Sequence, residues 1–243
     1  WLAMLVAVIA GILAGLCTGL LHVKLGIPVI LAGILTQFSL YSINLRIMGM
    51  AANKAVSVDK FSLVLSSRSI SSAILTGALI ALALVALFYW YFGTEQGSAL
   101  RATGSNPAMS RALGIDIGAM KVLGLAISNG VVALSGGLMT QFQGTADVNM
   151  GRGAIVIGLA AVIIGEAVFG RIFHNFALKL ASVSIGAIIY YIVIQLVLTL
   201  GFDANLLKLL SASVVAVFLA VPYWKGKYFS KPVKKAKEDA KNA

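Results

Sequence analysis

Long apolar runs recur along almost the whole chain, separated by short polar stretches. Seven of them, residues 1–21, 27–50, 69–92, 119–143, 153–170, 176–200 and 206–224, are long enough to be read as membrane helices. About 20 apolar residues in helical conformation cross roughly 30 Å of hydrocarbon. The pattern therefore predicts an all-α, polytopic integral membrane protein. A transmembrane domain is expected over 1–224, and residues 225–243 form a lysine-rich tail with no apolar period.

Small and polar residues inside the runs mark helix faces. Gly11, Gly15 and Gly19 recur every four residues, a pattern that lets a second helix approach backbone to backbone. Ser182 and Gly186 repeat it in the sixth run. Gln37, Tyr41 and Asn44 share one face of the second run, and Asn129, Ala133, Gly136 or Gly137, and Thr140 line one side of the fourth. Unpaired amides in hydrocarbon are costly, so these faces meet either other helices or water. Interhelical bonding and the lining of a transport pathway both satisfy that demand, so Gln37, Tyr41, Asn44, Asn129 and Thr140 are pathway candidates. Glu166 is the one carboxylate inside an apolar run. Its place near the end of that run suits an interfacial pair with a cation better than proton coupling.

The longest polar insert is the most ordered. In residues 94–118, Thr94 is placed to cap a first short helix that Gly104 would end in the left-handed conformation. Asn106 is placed to cap a second, with Pro107 at its first position and Gly114 just past its last turn. The expected helix, Pro107–Leu113, is short, rigid and basic through Arg101 and Arg111, with Met109 as an adaptable apolar contact. It suits docking to a soluble partner, although a capped surface loop would carry the same signals. Of the other connections, 51–68 reads as a polar linker and 144–152 as a polar turn. There Asp147 and Arg152 either pair or, with Asn149, meet a docked protein.

Composition sharpens the class. Charged residues are 11% of the chain, hydrophobic ones 60%, and mean hydropathy is +0.97. Soluble domains carry about 25% charged residues. The net charge of +11 is concentrated toward the C-terminus, which points to anionic membrane lipids rather than nucleic acid. The single Cys17 excludes an internal disulfide and a thiolate metal cluster.

Three stretches resemble a known family. Gly97-x-Ala99-x-Arg101-Ala102-x-Gly104-x-Asn106-x-x-Met109-x-Arg111-Ala112-x-Gly114-Ile115 is similar to the cytoplasmic coupling segment of ABC-importer permeases of the branched-chain amino acid/ribose type. Leu40–Gly49 and Gly124–Gly130, the latter continuing to Ala146-Asp147-Val148-x-Met150-Gly151 and Gly158-Leu159-Ala160, resemble an uncharacterised amino-acid-type branch of that family. The resemblance covers about residues 1–222. The family's first helix and re-entrant segment have no counterpart and Trp1 is no initiator, so an N-terminally trimmed chain is expected.

The resemblance implies a non-catalytic subunit with no cofactor of its own. ATP and Mg would be held by two separate cytosolic ABC ATPases docked at Arg101, Ala102, Gly104, Asn106, Pro107, Met109, Arg111, Ala112 and Gly114. A second permease copy, as a homodimer, would complete the pathway. An extracytoplasmic binding protein would deliver a small amino acid or similar polar substrate, with Asp147, Asn149 and Arg152 as its contact candidates.

The residues themselves contain no phosphate-binding loop, no paired metal-ligand histidines and no catalytic elbow. A stand-alone secondary transporter or channel is the alternative, and it usually needs embedded coupling acids. Placing the tail in the cytosol puts 94–118 there too, in a multi-pass cell-membrane protein. Thirteen Lys and Arg then lie inside against six outside, and without the tail the count is six against six.

Overall fold

A computed structural model describes residues 1–56, 63–151, 154–169 and 175–200, together with 209, 212, 213, 216 and 220; for 155 and 156 it describes the backbone alone. The seventh expected span lies almost entirely outside these residues, as do the outer turn 201–205, the turn 171–174, Arg152 and the tail. The chain divides into two compact units, Trp1–Arg152 and Gly153–Ala243.

The first unit contains α1 (Leu2–Leu25), α2 (Val29–Ile47), β1 (Asn53–Ala55), α3 (Ile70–Gly93), α4 (Glu95–Ser105), α5 (Pro107–Ala112), α6 (Ile117–Gln143) and β2 (Thr145–Asp147). Among the described residues, α1, α2, α3 and α6 are long and apolar enough to cross a membrane. Their ends follow the polar punctuation. Gly26, at φ +69°, caps α1 with its N–H on the Leu21 carbonyl, and Gly144, at φ +68°, does the same for α6 on Thr140.

The core of this unit is the antiparallel pair α1–α6. A β-carbon on Gly11 would lie 2.5 Å from the Asn129 carbonyl oxygen, one on Gly19 would lie 2.9 Å from the Val122 α-carbon, and one on Gly15 would overlap the Leu125 carbonyl. The glycine face is thus the contact face. Helix α2 packs on α1 through Ala32 and Thr36, both buried. There the Thr36 hydroxyl donates to the Ala32 carbonyl at 2.9 Å and accepts from the Thr18 hydroxyl at 2.9 Å. Much of the remaining surface of these helices is apolar and exposed, as lipid or further helices require.

The polar linker after α2 contains a strand. Its Asn53–Ala55 pairs antiparallel with Thr145–Asp147, in the register Asn53↔Asp147, Lys54↔Ala146, Ala55↔Thr145. Further along the linker, the Val64 N–H donates to Gln141 Oε1 at 2.9 Å. Loop backbone needs hydrogen-bond partners, and each of these two connections supplies them to the other. Among the described residues, this otherwise helical unit therefore carries a two-stranded ribbon at the C-terminal end of α6.

The second unit contains α7 (Ala154–Phe169) and α8 (Phe176–Thr199), of which α8 has spanning length and α7 is shorter. They pack through small residues, as the Ser182/Gly186 pair predicts. A β-carbon on Gly165 would lie 2.5 Å from the Ser182 carbonyl oxygen, and one on Gly186 would overlap that of Ala161. Ala160, Ile164, Tyr190 and Ile194 form the buried cluster beside them. Glu166 is exposed on α7, and the residues 170–174 that follow this helix lie outside the described ones.

Candidate functional site: the α4–α5 segment and the two ends of α6

Helices α4 and α5 are built by local capping. Thr94 Oγ1 accepts from the Gly97 N–H at 3.3 Å and donates to the Tyr91 carbonyl at 2.6 Å, which joins the start of α4 to the end of α3. Gly97 lies so close that a β-carbon there would meet the Tyr91 carbonyl and, at 2.5 Å, the Phe92 α-carbon.

The break between α4 and α5 falls at Asn106, which corrects the expected stop at Gly104. Gly104 is helical, and α4 continues to Ser105. The cause is Pro107. A residue before proline is pushed out of the α region, and Asn106 sits at φ −149°, ψ 95°. From there Asn106 Oδ1 accepts from the Met109 N–H at 3.1 Å, capping α5 as expected.

The far end of α5 is a complete Schellman motif. Gly114 takes φ +82°. Its N–H donates to the Arg111 carbonyl at 3.0 Å, and the Ile115 N–H donates to Ser110 at 3.0 Å. The next element starts at once. Asp116 Oδ1 accepts from the Gly118 and Ala119 N–H groups at 2.8 and 3.1 Å, capping α6. Asp116 was not among the expected caps, although an Asp just before an apolar helical run is the signal that marks one. With this cap, α6, a helix long and apolar enough to cross a membrane, begins three residues after Gly114.

Helix α5 has an inner and an outer side. Ser110 is 1% exposed, and its hydroxyl donates to the Asn106 carbonyl at 3.0 Å. Met109 is 61% exposed and Leu113 67%, with Arg101, Gly104, Asn106, Pro107, Arg111, Ala112 and Gly114 also exposed and Ala102 half-buried. All nine candidate coupling residues thus share one surface segment. It offers Arg111 and the adaptable apolar Met109 on a short, doubly capped helix; Arg101, expected on that helix, lies on α4 instead.

The other candidates are dispersed. Gln37, Tyr41 and Asn44 are exposed on α2, outside the Ala32/Thr36 face that meets α1. Asn129 is half-buried, with its Nδ2 donating to its own helix at Leu125 at 2.9 Å and its carbonyl against Gly11. Thr140 is half-buried near the far end of α6, its Oγ1 3.9 Å from the Met150 sulfur. These five residues form no single cluster within the described chain. Asp147 and Asn149 lie at the ribbon end of α6. Asp147 Oδ1 accepts from the Asn149 N–H at 2.7 Å, and Arg152 is outside the described residues. The 27 residues of α6 separate this end from the α4–α5 end by about 40 Å.

Comparison with known proteins places the chain. The family described as branched-chain amino acid transport system / permease component matches residues 1–222. A tyrosine transport system permease protein of Clostridioides difficile (strain R20291) is 41% identical over 219 residues, covering 90% of this chain and 72% of that protein. An uncharacterised protein of Rickettsia prowazekii (strain Madrid E) is 34% identical over 220 residues, covering 90% of this chain and 78% of that protein. No solved structure matches. By the extent of that match and its spanning helices, the chain belongs to the permease components of branched-chain amino acid transport systems and is a multi-pass membrane transport subunit.

Proposed function

We propose that this permease moves an amino acid into the cell by alternating access, driven by separate ATPases that dock on α4–α5. The observation that carries the reading is how α5 is built. It is capped at both ends, exposes Met109, Arg111 and Leu113, and joins α6 through the Asp116 cap. A push on such a helix reaches α6 without being absorbed by a loose loop. It passes on to α1, because the α1–α6 contact leaves the two backbones no slack. Two conformations of that packed pair provide the two-state element that ATP and substrate both bias.

In this reading ATP and Mg sit on the partner ATPases, and the α4–α5 side faces the cytosol along with the C-terminal tail. A second copy of the chain supplies the rest of the pathway, in which the exposed Gln37, Tyr41 and Asn44 of α2 and the Asn129 and Thr140 positions of α6 meet the substrate. A binding protein contacts the opposite end of α6, around Asp147, Asn149 and Arg152. The chain's similarity to the C. difficile tyrosine transport system permease makes tyrosine the first substrate to try.

Cross-linking tests the docking. A cysteine at Met109 is expected to cross-link to the co-expressed ATPase, while one at the buried Ser110 is not. Failure of any ATPase to co-purify or cross-link with the intact permease would overturn the reading.

A further inference from the structure

A cavity of about 380 Å³ opens beside α4, walled by α1, α2, α4 and α6. We propose that it binds the headgroup of an anionic phospholipid. Its polar end is cationic. His22 Nδ1 lies 2.8 Å from the Ile27 carbonyl, and a carbonyl only accepts, so this nitrogen carries the proton. The other nitrogen, Nε2, then accepts from the Lys121 ammonium at 3.4 Å. The histidine thereby orients the lysine, leaving two of its three N–H donors for a phosphate. No carboxylate lines the cavity.

The rest of the lining is mostly apolar, with Val29, Leu100 and Leu125 among the walls, and Val29 is exposed at 44%. The site sits at a bilayer boundary. Helix α1 ends at Gly26 and α6 begins at Ile117, and the antiparallel packing of the two brings His22 and Lys121 to the same level. A free anion has no use for the apolar wall, whereas a lipid fills both parts. The volume, at the small end of the range for small-molecule sites, takes a headgroup and the first carbons of one chain, with the remainder in the bilayer. Lys and Arg near such a surface attract anionic lipids. A lipid held here would bear on the joint between α4 and α6, where Leu100 reaches toward Gly124: a β-carbon on Gly124 would lie 3.3 Å from Leu100 Cδ1.

The test is lipid retention by the full chain. The permease is purified from vesicles of phosphatidylcholine with or without phosphatidylglycerol, and bound lipid is read by native mass spectrometry. Wild type is expected to retain phosphatidylglycerol over phosphatidylcholine. Lys121→Gln should lower that retention about fivefold and Lys121→Arg should preserve it. Gly124→Leu, which fills the cavity, should abolish retention with Lys121 intact. Equal retention of the two lipids by wild type, undiminished retention by Lys121→Gln, or displacement of the lipid by inorganic phosphate would overturn the proposal. Retention is read without ATP turnover, so it holds or fails independently of coupling.

Discussion

Gly15 of α1 stands against the carbonyl oxygen of Leu125 of α6, with no room for a β-carbon between them. The obstacle is backbone, which a rotamer change does not relieve. Overpacking a core typically costs about 1–3 kcal/mol, and Gly15→Leu should exceed that range because the two helices must separate. Reduced yield and loss of a monodisperse peak in size-exclusion chromatography are expected. Gly33→Leu on α2, where nothing lies within 4 Å, should purify normally. Wild-type behaviour of Gly15→Leu would contradict the packing.

The Thr18–Thr36 hydrogen bond should be measurable as a coupling. Interhelical hydrogen bonds between membrane helices average about 0.6 kcal/mol and reach about 1.7. Thr18→Val and Thr36→Val should each lower stability by about that much, and the double variant by less than their sum. Strict additivity in a double-mutant cycle would show that the 2.9 Å contact contributes nothing.

How much could be read in advance varies from place to place. The Gly11/Gly15/Gly19 face was legible because a repeat of small residues every four positions has few other uses in a membrane helix. The α5 helix was legible because Asn106, Pro107 and Gly114 each act on the chain within a few residues of themselves. Gly104 misled, because glycine permits a left-handed turn without requiring one, while Pro107 constrains its neighbour. The Thr18–Thr36 bond was invisible: a threonine in an apolar run bonds its own helix equally well, and nothing local names its partner. The β1–β2 ribbon was also invisible, since three-residue strands carry no alternation and depend on helices that bring their ends together. The pathway candidates sit at spacings that share helix faces, but which face meets which neighbour depends on packing that no local spacing names.

The corrected helix boundary makes opposite forecasts for two glycines. Gly104 is helical and in open space, so Gly104→Ala should stabilise α4 by up to about 1 kcal/mol. Gly114 sits at φ +82°, where a side chain is strained, so Gly114→Ala should cost about 1–2 kcal/mol. Hydrogen exchange across residues 94–118 reads both. Slower exchange with Gly114→Ala, or faster with Gly104→Ala, would put the boundary elsewhere.

In the proposed function, force from an ATPase enters through α5. Arg111→Glu reverses a charge on the exposed side of that helix, and like-charge contacts at an interface cost several kcal/mol. The paired change Asn106→Ala and Pro107→Ala removes the cap and the preset first turn, about 1 kcal/mol for the cap. Neither touches a spanning helix, so both variants should insert and purify normally. The deciding measurement is substrate uptake and ATP hydrolysis in liposomes holding the permease, its ATPase and its binding protein. Arg111→Glu should lose substrate-stimulated hydrolysis and uptake together, and the capping variant should lose a part of each. Uptake driven by an ion gradient in liposomes holding this chain alone, undiminished by Arg111→Glu, would contradict the account.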